Sequence, residues 1–154
     1  MIEKLKRLWQ QSPKGRDGAP EKDLALDLAV LMVEVMRRDG RLDPAEKQAI
    51  LQALMQRFEL SREQAMTLLD RARDEDDRAY DLHRFTSPIV KNFSTAERIG
   101  MVRDLWQVAM ADGHIDPYEE QLIRRIAELI GVYHHEFIDA KIAARDGLNP
   151  AAED

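Results

Sequence analysis

Apolar residues recur along this chain at the three-to-four-residue spacing of helices that bury one face. Leu24, Leu28, Leu31, Met32, Val35 and Met36 mark one such face, and Ala25, Leu26, Ala29, Val30 and Val33 extend it nearly all round. That pattern predicts a buried helix over 24–39, interrupted only by Asp27 and Glu34, which lie on one stripe. Ile50, Leu51, Leu54, Met55 and Phe58 predict a second helix over 44–58, and Ala65, Leu68, Leu69 and Ala72 a third. Ile99, Val102, Leu105, Trp106 and Ala109 predict another over 95–111, with Trp106 in the core. Leu122, Ile123, Ile126, Leu129 and Ile130 place the next over 117–130, and Phe137, Ile138 and Ile142 a last one beginning near His134 and His135. Between them, Tyr80 to Phe93 reads as helical, with Pro88 breaking or kinking it.

The polar positions supply the starts. Asp43-Pro44-x-Glu46, Ser61-x-x-Gln64 and Ser94-x-x-Glu97 each offer a side-chain oxygen at the N-cap and a Glu or Gln three residues on. No window alternates with period two over the length of a strand. The prediction is an all-α single domain of about seven or eight helices. Residues 1–20 read as a basic amphipathic segment and linker, 21–147 as the helical domain, and 148–154 as a polar tail.

One phrase occurs twice. Asp39-Gly40-Arg41-Leu42-Asp43-Pro44-Ala45-Glu46 returns 73 residues later as Asp112-Gly113-His114-Ile115-Asp116-Pro117-Tyr118-Glu119, each time between an apolar helix and an amphipathic one. The chain therefore holds a pseudo-repeat, with two places where carboxylates gather. Aligned to the calcium loop D-x-[DN]-x-[DN]-G-x₅-E, both copies match the second half only: Asp39 and Asp112 at position five, Asp43 and Asp116 at nine, Glu46 and Glu119 at twelve. Positions one and three are Val35 and Arg37 in one copy, and Val108 and Met110 in the other, so tight calcium binding is not expected. Helix capping explains much of the phrase without a metal, because glycines end one helix and Asp43 and Asp116 begin the next. Asp39 and Asp112 are left over, since a carboxylate near a helix C-terminus opposes the macrodipole.

Composition narrows the function. Net charge is −6, which argues against a nucleic-acid partner, since phosphate recognition needs a basic face. Cysteine is absent, which removes thiolate chemistry and disulfides. The longest apolar run, Leu28 to Val33, is far short of the ~20 residues that span a bilayer, and no signal peptide is visible, so a cytoplasmic location is expected. His135-Glu136-Phe137-Ile138-Asp139 lacks the second His of a zinc-protease helix, and no phosphate loop or nucleophile elbow is present. Catalysis is not expected, and no small-molecule substrate is identified. In residues 1–16, Lys4, Lys6, Arg7, Lys14 and Arg16 stand against Glu3 alone, with Ile2, Leu5, Leu8 and Trp9 on the opposite face. Residues 1–11 either dock back on the domain through Trp9 or touch the inner face of a membrane as a peripheral helix.

The second copy, Leu105-Trp106-Gln107-Val108-Ala109-Met110-Ala111-Asp112-Gly113-His114-Ile115-Asp116 and on through Glu119 to Val132, resembles the bacterial TerB-like (tellurite-resistance protein B) family. Val35 to Glu46 resembles its amino-terminal repeat and Phe85-Thr86 its middle segment, so the likeness covers residues 22 to 145. The resemblance implies a compact all-helical domain of two pseudo-symmetric halves. It also implies acidic residues suspected of chelating metal, and a role in stress-response or membrane-linked assemblies without established catalysis. By matching position, the acidic role falls on Asp39, Asp43, Glu46, Asp112, Asp116 and Glu119. Arg37 and Arg38 can neutralise the first loop, which makes the second the better site for a weakly bound divalent cation. The expectation is a binding or scaffold module presenting acidic loops to a protein partner. The alternative is a weak metal binder or sensor using the paired loops.

Overall fold

The computed structural model describes residues 21–37, 42–77, 81–113 and 115–148. The amino-terminal basic segment, Asp39, Gly40, His114 and the tail from 149 lie outside the described residues, as do the expectations placed on them. Every regular element among the described residues is an α-helix: α1 (Glu21–Met36), α2 (Pro44–Phe58), α3 (Arg62–Asp77), α4 (His83–Asn92), α5 (Thr95–Ala109), α6 (Pro117–Leu129) and α7 (His134–Leu148). The all-α prediction holds.

α1 is the central rod. Leu24, Leu28, Leu31, Met32, Val33 and Val35 are each 1% exposed or less, on every side of the helix, because α1 packs against α2, α3, α4, α5 and α6. Its polar interruption, Asp27, is half-buried; burial and the charge of Asp23 push its carboxyl up to about 7, against the opposing pull of Arg84. α5 forms a second axis and packs most extensively on α7, where the fully buried Trp106 ring lies 5.0 Å from that of Phe137.

The starts follow the sequence. Ser94 accepts from Glu97 N and Glu97 reaches back to Ser94 N, and Ser61 and Gln64 exchange the same two bonds. Pro88 does not break its helix, contrary to the strong reading of the sequence. Its ring removes a single N–H, and the helix continues to Asn92, whose side chain donates to the Pro88 carbonyl. The two halves are tied by Arg57 of α2, which donates to Asp104 of α5 at 2.8 Å. Gly100 makes room for that crossing, since a Cβ there would come within 2.8 Å of the guanidinium.

α1 with α2, and α5 with α6, are the two copies of the repeated unit, and their packing is reciprocal. Exchanging the copies maps the α1–α6 contact onto the α2–α5 contact, and both are present. The two halves therefore contact each other in a reciprocal, twofold-like pattern.

Candidate functional site

The second acidic loop turns sharply between α5 and α6. Gly113 adopts φ +96, a backbone conformation that costs other residues strain, which accounts for the glycine. Asp116 then caps α6: its Oδ1 accepts from Tyr118 N at 2.7 Å, while Glu119 Oε1 accepts from Asp116 N at 3.2 Å. In the first copy Asp43 Oδ1 accepts from Ala45 N at 2.8 Å. The capping part of the sequence reading is thus present at both loops.

What capping does not explain is where the glutamates go. Glu46 is 7% exposed and Glu119 4%, the only buried acidic residues among those described. They sit at the third position of α2 and α6, with Ile50 and Ile123 one turn further on, so each lies on the apolar stripe of its helix. The two side chains meet through a carboxyl–carboxyl hydrogen bond. Because they are equivalent positions in the repeat, this contact is itself reciprocal between the two copies.

Two facing carboxylates cannot both be charged and bonded without a proton or a cation between them. Burial pushes Glu46 up to about 8, helped by the hydrogen bond to Glu119 and by the charges of Glu119 and Asp112, against the bond from the Asp43 N–H. Burial raises Glu119 too, but bonds received from Glu46 and from the Asp116 N–H oppose the rise. At neutral pH the pair therefore holds a shared proton rather than two free charges. Glu119 Oε2 is fully buried and receives no bond from any backbone or side-chain N–H.

Of the six acidic residues singled out in the sequence, the structure joins Glu46 and Glu119 directly and sets Asp112 near enough for its charge to bear on both. Asp116 bears on Glu119 alone, and Asp43 is exposed at the α2 cap. Asp39 lies outside the described residues. The expected pair of separate acidic places is one centre assembled from both loops. The expected neutralisation by Arg37 is redirected in part, because its Nη1 donates to the Arg73 carbonyl on α3. Among the described residues no three metal-ligating side chains already converge on one point.

Comparison with known proteins gives two findings. The family model described as tellurite resistance protein TerB matches residues 25–142. The crystal structure of a protein of unknown function from Porphyromonas gingivalis W83 superposes with a TM-score of 0.57 at 22% identity, over 80% of this chain and 88% of that one. That likeness shows the fold. None of the curated proteins matches.

Proposed function

The chain belongs to the TerB family, and we propose that it is a non-catalytic binding module whose two acidic loops act together as one site for a divalent cation. The observation that supports this reading is the meeting of Glu46 and Glu119 in the interior, with Glu119 Oε2 lacking any N–H donor. A cation replacing the shared proton would satisfy the same buried oxygens. Glu46 and Glu119 would hold it, with Asp112 and Asp116 at the rim, and the ion would supply charge neutralisation that ties the two halves of the domain together. All these donors are hard carboxylate oxygens, which suit Ca²⁺, Mg²⁺ or Mn²⁺ better than soft ions. Affinity is expected in the weak range of about 10⁻⁴–10⁻³ M, because the calcium-loop carboxylates at positions one and three are missing. The buried glutamates favour this reading over one in which they face a protein partner.

Calorimetry with Ca²⁺, Mg²⁺ and Mn²⁺ tests it. A composite centre binds one ion per chain, and Glu46→Gln weakens binding as much as Glu119→Gln, about tenfold or more each. Two ions per chain, a Glu46→Gln variant that binds normally, or no binding at millimolar cation would overturn it.

A further inference from the structure

Away from the acidic centre, the outer face of α6 carries a recess of about 430 Å³ lined by Tyr118, Gln121, Leu122, Arg124, Arg125 and Glu128. Tyr118 is 52% exposed, an unusual place for a large ring, and Leu122 one turn on is only partly covered. Two adjacent arginines stand beside this apolar pair, on a chain whose net charge is −6. Some cations elsewhere find carboxylates: Arg57 with Asp104, Lys141 with Glu120, Arg84 with Glu75. Arg124 and Arg125 form no ion pair among the described residues. Arg124 lies over the Phe137 ring at 5.6 Å, and its Nε is buried without an acceptor.

We propose that this recess is a docking site for an acidic segment of a protein partner. One apolar side chain of that segment sits between Tyr118 and Leu122, and its carboxylates engage Arg124 and Arg125. Planar guanidinium groups match carboxylates in paired hydrogen bonds, and the charge of the patch is opposite to that of the chain as a whole. A second copy of this chain fits worse, because a twofold contact through this face sets the same arginines against each other. An anionic membrane also fits worse, since the recess is concave, Glu128 borders it, and the net charge repels such a surface. This inference does not depend on cation binding at the glutamate pair.

The test uses the full ¹⁵N-labelled chain with EDTA present, so that a failure here is separate from a failure of the cation reading. The probes are a blocked eight-residue peptide of alternating Glu and Leu, and its Gln–Leu counterpart. The expected result is amide shifts confined to residues 118–128 with the acidic peptide and absent with the neutral one. Arg125→Glu, at an exposed position, should weaken the effect about tenfold or more. Arg124→Gln, which keeps the bulk over Phe137, should also weaken it. Several results would overturn the proposal: no shifts at millimolar peptide, equal shifts with the neutral peptide, or indifference to Arg125→Glu. So would shifts in 118–128 on simple dilution, which assign the face to a second copy, or on deletion of residues 149–154, which assign it to the chain's own Glu153 and Asp154. Stronger response to anionic vesicles than to the peptide also counts against it.

Discussion

The two copies of the repeated unit occupy equivalent places and do unequal work. α1 is enclosed by five neighbouring helices and is apolar almost all round. α5, its counterpart, leaves one side polar and uses it for Arg98, which donates to the Ile130 carbonyl at 2.6 Å, and for Asp104, which receives Arg57. The same inequality appears at the glutamates. Glu46 and Glu119 share a position and a burial that raises both, yet the charge of Asp116 bears on Glu119 and not on Glu46. Each glutamate also receives the backbone N–H of its own cap residue, Asp43 for Glu46 and Asp116 for Glu119. Repetition sets where side chains go; the local hydrogen bonds decide what each one does there.

The sharpest way to break the equivalence is at the core of the two long helices. The repeat offset places Val33 opposite Trp106, and both are fully buried. Trp106→Ala should lose about 3–5 kcal/mol, and Val33→Ala about half as much, since fewer buried methylenes are removed. Urea unfolding of the two variants measures the difference, and equal losses would show that the halves contribute alike.

The next effect lies in the pH dependence of stability without added cation. The folded state holds its protons more tightly than the unfolded state at Glu46, whose carboxyl moves from 4.5 up to about 8, and at Asp27, from 3.8 up to about 7. Their contribution is complete at acid pH and is lost as pH rises, from about 4 to 7 for Asp27 and from 4.5 to about 8 for Glu46. Thermal melts should therefore show stability falling across that window. Glu46→Gln, a neutral match for the protonated acid, should remove the upper part of the fall and leave the lower part. A slope between pH 7 and 8 that survives the substitution would place the proton elsewhere.

The smallest contrast is at the caps. Asp116→Ala should cost about 1 kcal/mol, and Asp43→Ala somewhat less within the usual ~0.5–2 kcal/mol range, because the second loop shows a complete capping box. Chemical denaturation of both variants at pH 7 orders them, and a larger loss at Asp43 would reverse the comparison.

Much of the fold was legible because it is local. The apolar stripes, the Ser94 and Ser61 boxes, the Asp116 cap and the buried Trp106 all follow from spacing within one helix. At Pro88 the break that the local rule allows does not occur, since α4 tolerates one missing N–H. The six acidic residues were legible as a group, but their meeting was not, because it depends on how two helix pairs pack. A signal was present. Glu46 shares the apolar stripe of Ile50 and Leu54, and Glu119 that of Ile123 and Ile126, and a Glu on such a stripe must enter the interior with a partner. The arginines of the α6 recess gave no signal, because an exposed Arg-Arg pair on an amphipathic helix reads as ordinary solvated surface.

The reciprocal glutamate contact has a consequence for exchange. In a dimer of two identical half-chains, the shared proton would have two addresses of equal energy and would divide its time between them. Covalent joining of the halves makes the addresses distinguishable, because each can acquire its own neighbours. Here Asp43 stands beside Glu46 and Asp116 beside Glu119, and the charge of Asp116 bears on the second alone, so the two addresses differ. A fused repeat can thus hold a fixed internal dipole across its own symmetry axis, which a true twofold would average to zero.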